Sequence, residues 1–327
     1  SSYPDTHLDY IHRHTATEDI YFVVNRLARH GINDTQYRYL TDLPDRYEQV
    51  TARFRVTGKV PEFWDPVTGA ISPVPAYRQE DGYTLIPVHL APEGSVFVVF
   101  REKKDEKHIV RIEKDGIPVW PEQNLPSGTL PAFLLNRSEG SMTASVTQSG
   151  VYTLQWSDGN VSSFSAQEPL LQKTISGSWK INFREPWGPR EILETDTLFS
   201  WSAYNDERLK FYSGAAEYST SFQVTGEELT GRRILIDLGN VQEIASLKIN
   251  GKEAGVSWIA PFRHDVTNLV REGENQISVI VVNSWVNRLI GDGGKAPEKR
   301  FTQTNVMKFE GPDRLDYLRK SGLLSEV

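Results

Sequence analysis

The chain has 327 residues, a formal net charge of −7, no cysteine and a hydrophobic fraction of 38%. With a prior of about one domain per 150 residues, its length predicts two or three domains, with enough apolar residues for their cores. The acidic balance, without a block of lysine or arginine, argues against nucleic acid and membranes as partners. The lack of cysteine excludes disulfides, thiolate metal sites and thiol nucleophiles.

The first third of the chain predicts a linker followed by a β-sandwich. Residues 1–16 are polar, which is typical of a linker from an upstream domain. Residues 17–29 allow a helix or a strand, and we favour a strand because aromatic and β-branched residues alternate there. Further alternating segments follow turn signals, so we expect an antiparallel β-sandwich over residues 17–104.

Two further β domains are predicted after this sandwich. Short strands separated by turn residues indicate a small β-sandwich over residues 105–170. A third unit covers residues 171–316, with a tight hairpin at Asn250-Gly251 and a short helix near residues 312–320, and residues 317–327 form a tail. Strands do not alternate with long amphipathic helices, as an α/β barrel of about 250 residues would require. The sequence therefore predicts an all-β fold of tandem antiparallel β-sandwiches.

The third unit carries motifs in an order that resembles the galactose-binding-like jelly roll of family 2 glycoside hydrolases. These motifs are Asn250-Gly251, Trp258-x-x-Pro261, Asp265-x-Thr267 and Gly273-x-Asn275. The last of the predicted domains is accordingly expected to be a galactose-binding-like jelly roll.

Other segments resemble the C-terminal region of glycoside hydrolase family 106, the α-L-rhamnosidases. They are Asp19-Ile20-Tyr21-Phe22-Val23-x-Asn25, Pro61-Glu62-x-Trp64-Asp65-Pro66-x-Thr68-Gly69, and Asn283-x-Trp285-x-Asn287-Arg288-Leu289-Ile290-Gly291-Asp292. The resemblance spans nearly the whole chain, apart from an insertion at residues 26–47. It implies an extracellular or periplasmic glycosidase of plant polysaccharide, whose catalytic barrel precedes these residues in the same polypeptide.

Within that family, the resemblance implies that these sandwiches brace the barrel and border its sugar pocket. A free-standing carbohydrate-binding module and a purely structural interface domain are the alternatives. The interface domain predicts a large exposed apolar patch. The module predicts sugar binding without the barrel.

No catalytic residue is predicted. Glycoside hydrolysis usually needs two carboxyl groups across the scissile bond, one of them with a raised pKa. Acidic residues cluster at Glu191, Glu194 and Asp196, at Asp206 and Glu207, and at Asp313 and Asp316. We interpret them as solvated surfaces or helix caps, so the chain alone should not hydrolyse glycosides.

Carbohydrate is the predicted ligand. Sugar recognition uses aromatic rings that stack on the apolar side of the pyranose and planar polar groups that meet its hydroxyls. The candidates are Trp258, Trp285, Asn287, Arg288 and Asp292, with Trp201 and Tyr204 as a second group. The alternative is that the tryptophans are core residues and that the polar corner ties loop backbone together.

No metal site is predicted with a complete ligand set. His12 and His14 have a spacing used in metal sites, but no third ligand is identifiable, so a polar surface strand is favoured. Galactose-binding-like jelly rolls often hold calcium, for which Asp65, Asp237 and Asp292 are the available carboxylates. Turn formation is the more common role of such aspartates.

Overall fold

The computed structural model describes residues 8–25, 48–91, 94–103, 107–121, 133–138, 141–167, 171–306 and 309–327. The chain divides into two compact units, Ser1–Leu171 and Gln172–Val327. The predicted all-β fold is confirmed, because the named strands of the described residues pair antiparallel and the helices are short. Within those ranges, no helix has the length and apolar character needed to cross a membrane. The predicted insertion at residues 26–47 lies outside the described residues.

The first sandwich of the first unit consists of a five-stranded sheet, in the order β1-β2-β8-β4-β5, and a three-stranded sheet, β3-β7-β6. Its strands are β1 Leu8–His14, β2 Asp19–Asn25, β3 Glu48–Phe54, β4 Val60–Trp64, β5 Ile71–Pro73, β6 Arg78–Glu80, β7 Tyr83–Leu90 and β8 Ser95–Arg101. Alternate residues of both sheets fill one core, among them Tyr21, Phe54, Ile86 and Phe100. Strand β2 confirms the strand interpretation of residues 17–29.

Strand β1 differs from the linker expected over residues 1–16. It pairs with β2 in register along its whole length, and its side chains are mostly exposed. Two polar side chains of β1 contact one carboxylate of β2, because Asp19 Oδ1 lies 3.0 Å from both His12 Nε2 and His14 Nδ1. Polar composition alone suggested a linker, but a strand at the edge of a sheet can be polar on both sides.

The second half of the first unit has a separate core. The strands are β9 Ile109–Lys114, β10 Ile117–Trp120, β11 Phe133–Ser138, β12 Ser141–Val146, β13 Gly150–Trp156 and β14 Val161–Ala166. They form a four-stranded sheet, β10-β9-β13-β14, and a β11-β12 hairpin. Trp120, Ile112 and Leu154 pack in the core between them. The domain boundaries drawn from the sequence stay predictions.

The second unit is built on a six-stranded antiparallel sheet, β16-β15-β17-β23-β20-β21, with the pairs β18-β22 and β19-β24. The strands are β15 Trp179–Phe183, β16 Leu193–Thr195, β17 Ala215–Val224, β18 Leu235–Asp237, β19 Val241–Gln242, β20 Ile244–Ile249, β21 Lys252–Ser257, β22 Arg263–Asp265, β23 Gly273–Val282 and β24 Gly322–Leu323. The helices are α1 Glu207–Lys210, α2 Gly226–Leu229 and α3 Val286–Gly293, with 3₁₀ turns at Trp201–Ala203, Pro297–Lys299 and Pro312–Tyr317.

The core of the second unit lies under the central strands β17 and β23. Every second residue of β23 is buried, as its β-branched run predicts. Asn250 and Gly251 join β20 to β21 with φ of 52° and 78°, which confirms the predicted tight hairpin. Whether this unit is a galactose-binding-like jelly roll stays a prediction.

The end of the chain differs in detail from the sequence prediction. The helix expected near residues 312–320 is a 3₁₀ turn, Pro312–Tyr317. Gly322 belongs to strand β24, where Leu323 is fully buried, and it does not cap a helix. Tyr218 Oη accepts the backbone N–H of Leu323 at 3.2 Å, which fixes this strand to the core.

Candidate functional site

The predicted polar corner lies where strand β23 ends and helix α3 begins. Asn283, the first residue after β23, donates from Nδ2 to Tyr212 O and Ser321 Oγ, both at 2.9 Å. Its Oδ1 accepts the backbone N–H of Gly214 at 2.9 Å. A buried amide with all these groups satisfied is a fixed structural joint. This joint sets where α3 leaves the sheet.

Asn287, in the first turn of α3, makes a second joint of the same kind. Its Nδ2 donates to Arg319 O at 2.8 Å and Ser321 Oγ at 2.9 Å, and its Oδ1 accepts Arg319 N–H at 2.9 Å. The side chain is buried and its hydrogen-bonding groups are used within the protein. These contacts match the alternative that this corner ties loop backbone together.

Arg288 and Asp292 form a buried ion pair on α3. Both side chains are almost fully buried, and Arg288 Nε lies 3.3 Å from Asp292 Oδ1 in an orientation that does not make a hydrogen bond. The second oxygen, Asp292 Oδ2, accepts the N–H and the Oγ1–H of Thr302 at 2.8 and 2.6 Å. Burial lowers the pKa of Arg288, while Asp292 and Glu207 oppose that change.

Beside this pair, three aromatic rings form a partly exposed surface that we name the aromatic cluster: Trp187, Trp285 and Phe301. The Trp187 ring centroid lies 5.9 Å from that of Trp285 and 6.2 Å from that of Phe301. Trp285 and Phe301 are 57% and 53% exposed, whereas Trp187 is half-buried and donates from Nε1 to Ser213 O at 2.7 Å. Arg288 Cζ lies 4.9 Å from the Phe301 centroid. The cluster is therefore an anchored aromatic surface open to solvent.

A recess of about 270 Å³ is lined by residues of α1, of the end of α3 and of the 3₁₀ turn Pro312–Tyr317, and we name it the cationic recess. Its walls include Lys210, Lys295, Arg314, Glu207 and Gly291. Lys295 connects it to the aromatic cluster, because Lys295 Nζ lies 5.1 Å from the Phe301 ring centroid. The recess and the cluster are neighbouring parts of one surface.

The five predicted sugar-binding residues occupy different environments. Trp285 belongs to the aromatic cluster, and Asn287, Arg288 and Asp292 are buried behind it. Trp258 is 58% exposed after β21, and in the described part of the chain no ring contact joins it to the cluster. Sugar binding by any of the five stays a prediction.

Sequence reasoning missed Trp187 and Phe301, which complete the aromatic cluster, and Lys210, Lys295 and Arg314 of the cationic recess. Trp187 lies almost 100 residues before Trp285, within a segment rich in proline and glycine. No spacing pattern connects such positions. The tertiary fold brings them together.

The second predicted aromatic group does not form a binding surface. Trp201 is fully buried, and its Nε1 donates to Tyr218 Oη at 2.7 Å, so it belongs to the core. Tyr204 is exposed and stacks on Phe199 with centroids 5.2 Å apart. The Ser-rich loop around Trp201 suggested exposure, but its 3₁₀ turn directs the indole inward.

The three aspartates considered for calcium do not fit one site. Asp65 Oδ1 accepts the N–H groups of Val67 and Thr68, which confirms the predicted turn. Asp237 Oδ2 accepts from Arg263 Nε at 2.6 Å, and Asp292 pairs with Arg288. Carboxylates bound to N–H donors and arginine are poor calcium ligands. In the residues that the structure describes, no group of three acidic or histidine side chains fits a metal ion.

Hydrogen bonds favour the charged form of some carboxyl groups in the second unit. Hydrogen bonds from Arg184 and Ser278 lower the pKa of Glu217. Bonds from Arg208 lower the pKa of Asp206, which caps α1 as predicted for this acidic pair. A general acid of a glycosidase needs the opposite shift. These carboxylates therefore serve as structural ion-pair partners.

Comparisons with known proteins agree with the motifs and the fold. Residues 1–79, about a quarter of the chain, match the family model of glycoside hydrolase family 106, described as alpha-L-rhamnosidase. The structure of a rhamnosidase from Novosphingobium sp. PP1Y is similar over 98% of this chain, with 28% identity and a TM-score of 0.63. The match covers 23% of that rhamnosidase.

Two curated relatives match shorter segments. A Formosa agariphila protein named "Putative beta-glucuronidase" is 42% identical over 129 residues, which is 39% of this chain and 11% of the relative. A Clostridium acetobutylicum protein named "Beta-galactosidase" is 29% identical over 101 residues, 28% of this chain and 11% of the relative. The chain thus matches only a small part of each relative's length. Together, the family model and the rhamnosidase structure confirm the resemblance to the α-L-rhamnosidases of glycoside hydrolase family 106.

Proposed function

We propose that this chain is the non-catalytic β-sandwich portion of an α-L-rhamnosidase-like glycoside hydrolase acting on plant polysaccharide, and that its second unit contributes to sugar recognition. The observation that carries the proposal is the aromatic cluster. Trp285 and Phe301 expose more than half of their surface beside the anchored ring of Trp187. Aromatic rings of this kind stack on the apolar side of a pyranose.

In this proposal the buried residues position the cluster. Asn287 fixes the first turn of α3, directly after Trp285. Asp292 fixes Thr302, directly after Phe301, and the Arg288 guanidinium lies over the Phe301 ring. Their locked contacts hold two separate chain segments at a constant spacing. A preformed surface of this kind loses little conformational entropy when a sugar binds.

The non-catalytic role is supported by the state of the carboxyl groups. Hydrogen bonds lower the pKa of Glu217 and Asp206, whereas a general acid requires a raised pKa. The match to 23% of a rhamnosidase supports the proposal that a catalytic barrel lies elsewhere in the same polypeptide. We place that polypeptide outside the cytoplasm, as suits an enzyme that degrades polysaccharide.

Calorimetric titration with rhamnose-containing oligosaccharides tests sugar recognition. We expect binding in the micromolar to millimolar range, weakened about fivefold by Trp285→Ala, because an aromatic stack contributes about 1 kcal/mol. Trp258→Ala is the matched control, since Trp258 has the same exposure but lies on another loop. Loss of binding in the Trp258 variant alone would move the sugar site to the loop after β21. Absence of binding by the unchanged chain would favour a purely bracing role.

The non-catalytic role has its own test. The purified chain should release no sugar from an aryl α-L-rhamnoside, because in the described part of the chain every carboxyl group with a shifted pKa has it lowered. Release of the aryl alcohol above the uncatalysed rate, retained after further purification, would refute this part of the proposal.

A further inference from the structure

The cationic recess carries an unbalanced positive charge. Three of its residues are cations, Lys210, Lys295 and Arg314, and one is an acid, Glu207, which leaves a net charge of +2 at this point. All three cations are half-buried. The chain as a whole has a net charge of −7, so this concentration of positive charge runs against its composition.

None of the three cations has an ion-pair partner among the residues that the structure describes. Arg314 Nε is buried and makes no hydrogen bond with any of the described residues. Elsewhere in the second unit, arginines of comparable exposure are paired, as Arg263 is with Asp237 at 2.6 Å and Arg300 with Glu310 at 2.6 Å. Three half-buried cations that line one recess with a single acid, Glu207, repel one another, and an anion in the recess relieves that repulsion.

A fourth cation lies directly behind the wall of the recess. A Cβ atom on Gly291 would lie 2.4 Å from Arg288 Nη2, so the absence of a side chain at Gly291 leaves this guanidinium close to the wall. Arg288 is 1% exposed, and its Nη2 has no hydrogen-bond partner in the part of the chain that the structure describes. Asp292 Oδ1 lies 3.3 Å from Arg288 Nε and balances its formal charge, while the other oxygen of Asp292 is bonded to Thr302.

The C-terminal end of α3 accounts for one of these cations. Helix C-termini favour positive charge by about 0.3 to 1 kcal/mol within the last turn, which suits Lys295, two residues after the helix ends. Lys210 and Arg314 come from α1 and from the 3₁₀ turn Pro312–Tyr317. Their convergence on the same recess requires a further explanation.

We propose that the cationic recess binds the anionic group of an acidic saccharide, a carboxylate or a sulfate ester, while a neighbouring sugar ring stacks on the aromatic cluster. The inference rests on the proposed sugar recognition and adds the chemical class of the ligand. The volume of about 270 Å³ holds one charged sugar unit rather than an oligosaccharide. Lys295 lines the recess and also lies over the Phe301 ring. A charged sugar unit in the recess is therefore adjacent to a sugar unit that stacks on the aromatic cluster.

The test is a titration of the full chain with three matched disaccharides of rhamnose. The first carries a uronic acid, the second is the same compound with its carboxylate reduced to an alcohol, and the third carries a sulfate ester on the reduced compound. We expect the charged compounds to bind about tenfold more tightly than the reduced one, since a hydrogen bond to a charged group is stronger than one to a neutral group. The comparison of uronate with sulfate identifies the preferred anion.

Variants of the recess separate it from the stacking surface. Lys210→Gln and Arg314→Gln should remove the preference for the charged disaccharides over the reduced one, because each variant removes one cation of the recess. Lys248→Gln, a lysine on the sheet surface paired with Glu253, is the matched control. Thermal unfolding of each variant shows that the fold is retained.

The outcomes distinguish the two proposals. Equal affinity for charged and reduced disaccharides overturns the acidic-ligand inference and leaves sugar recognition intact. Absence of binding to all three overturns both. If inorganic sulfate at equal concentration displaces the charged disaccharides completely and the reduced one does not bind, the recess is a simple anion site and the saccharide assignment is wrong.

Discussion

At the scale of single residues, buried amides join segments that are distant in sequence. Asn283 connects the end of β23 to Tyr212, Gly214 and Ser321. Asn287 repeats the arrangement one helical turn later. In an irregular corner, some backbone N–H and C=O groups have no backbone partner. An amide side chain can both donate to such groups and accept from them, which suits asparagine to this position. The corner carrying Trp285 is rigid for this reason.

The variant Asn287→Ala tests the role of this joint. It removes three hydrogen bonds and leaves buried partners unsatisfied, so we expect the second unit to lose about 2 to 4 kcal/mol of stability. Urea denaturation followed by tryptophan fluorescence measures the change, and Gln223→Ala, at an exposed strand position, is the control. An unchanged stability together with lost sugar binding would instead make Asn287 a direct ligand of the sugar.

Gly322 is a second residue whose function is local, because sterically only glycine fits at this position. Its φ is +102°, and a Cβ atom would lie 2.7 Å from Tyr218 Oη and 2.8 Å from Trp201 Nε1. The strand β24 can therefore approach the core only because residue 322 has no side chain.

We expect Gly322→Ala to destabilise the second unit by about 2 kcal/mol more than Gly231→Ala. Gly231 also has positive φ, +66°, but nothing lies within 4 Å of its Cβ position, so it isolates the backbone cost of about 1 kcal/mol. Chemical denaturation of the two variants gives the difference. Equal losses would show that the contact with Trp201 and Tyr218 relaxes without cost.

The sequence identified tryptophan as the residue type of the candidate site but not which tryptophans lie on the surface. Trp201 lies between serines and was expected to be exposed, yet it is fully buried because Tyr218 accepts its indole N–H. Trp285, which was predicted to bind sugar, does lie on the surface, and its sugar binding stays a prediction. Its partners Trp187 and Phe301 come from loops whose positions depend on the whole fold, which local patterns do not encode.

At the scale of secondary-structure elements, strands were predictable because a strand that is buried on one side alternates apolar and polar residues along the sequence. Strand β23 shows this alternation along its length, and its hairpin partner follows the Asn250-Gly251 turn. Helix α3 was not predicted. Its eight residues include Gly291 and Gly293, both weak helix formers, and a Cβ on Gly293 would lie 2.1 Å from Phe309 O. Tertiary contacts, not propensity, select this helix.

His89, on strand β7, should make the stability of the first unit depend on pH. Burial lowers the pKa of His89 from 6.5 to about 4. Below pH 6.5 the unfolded chain takes up the proton first, so stability is complete above pH 6.5 and falls as the pH drops towards 4. The loss is at most about 3 kcal/mol, since the ring keeps some contact with solvent.

Urea denaturation of the full chain between pH 4 and 8 measures this dependence, and His89→Gln removes the titrating group. The pH-dependent difference in unfolding free energy between the two proteins should be largest near pH 4. Above pH 7 this difference should no longer change with pH. Parallel curves over the whole range would show that His89 can be protonated without cost in the folded protein.

At the scale of the molecule, each unit has its own core. The second unit packs Trp201, Tyr218, Leu238 and Val281 in a cluster that belongs to residues 172–327 alone. A unit with a complete core can fold independently. The antiparallel sheets were predictable from the sequence, whereas the grouping into units depends on which core each strand joins.

We therefore expect a fragment of residues 172–327 to fold by itself, with dispersed amide signals in a proton–nitrogen correlation spectrum. A fragment of residues 172–316 is the matched control and should be unfolded, because it lacks Leu323, which is fully buried. A folded shorter fragment would show that β24 is dispensable, and an unfolded longer fragment would show that the first unit is required.

The backbone N–H of Ile175 donates to the carbonyl of Val327 at 2.7 Å. The two ends of the second unit therefore lie close together and are joined by this backbone hydrogen bond. A peptide bridge of a few residues could join these points and new termini could be opened in the Asn250-Gly251 hairpin, giving a circularly permuted form with the same sheet order.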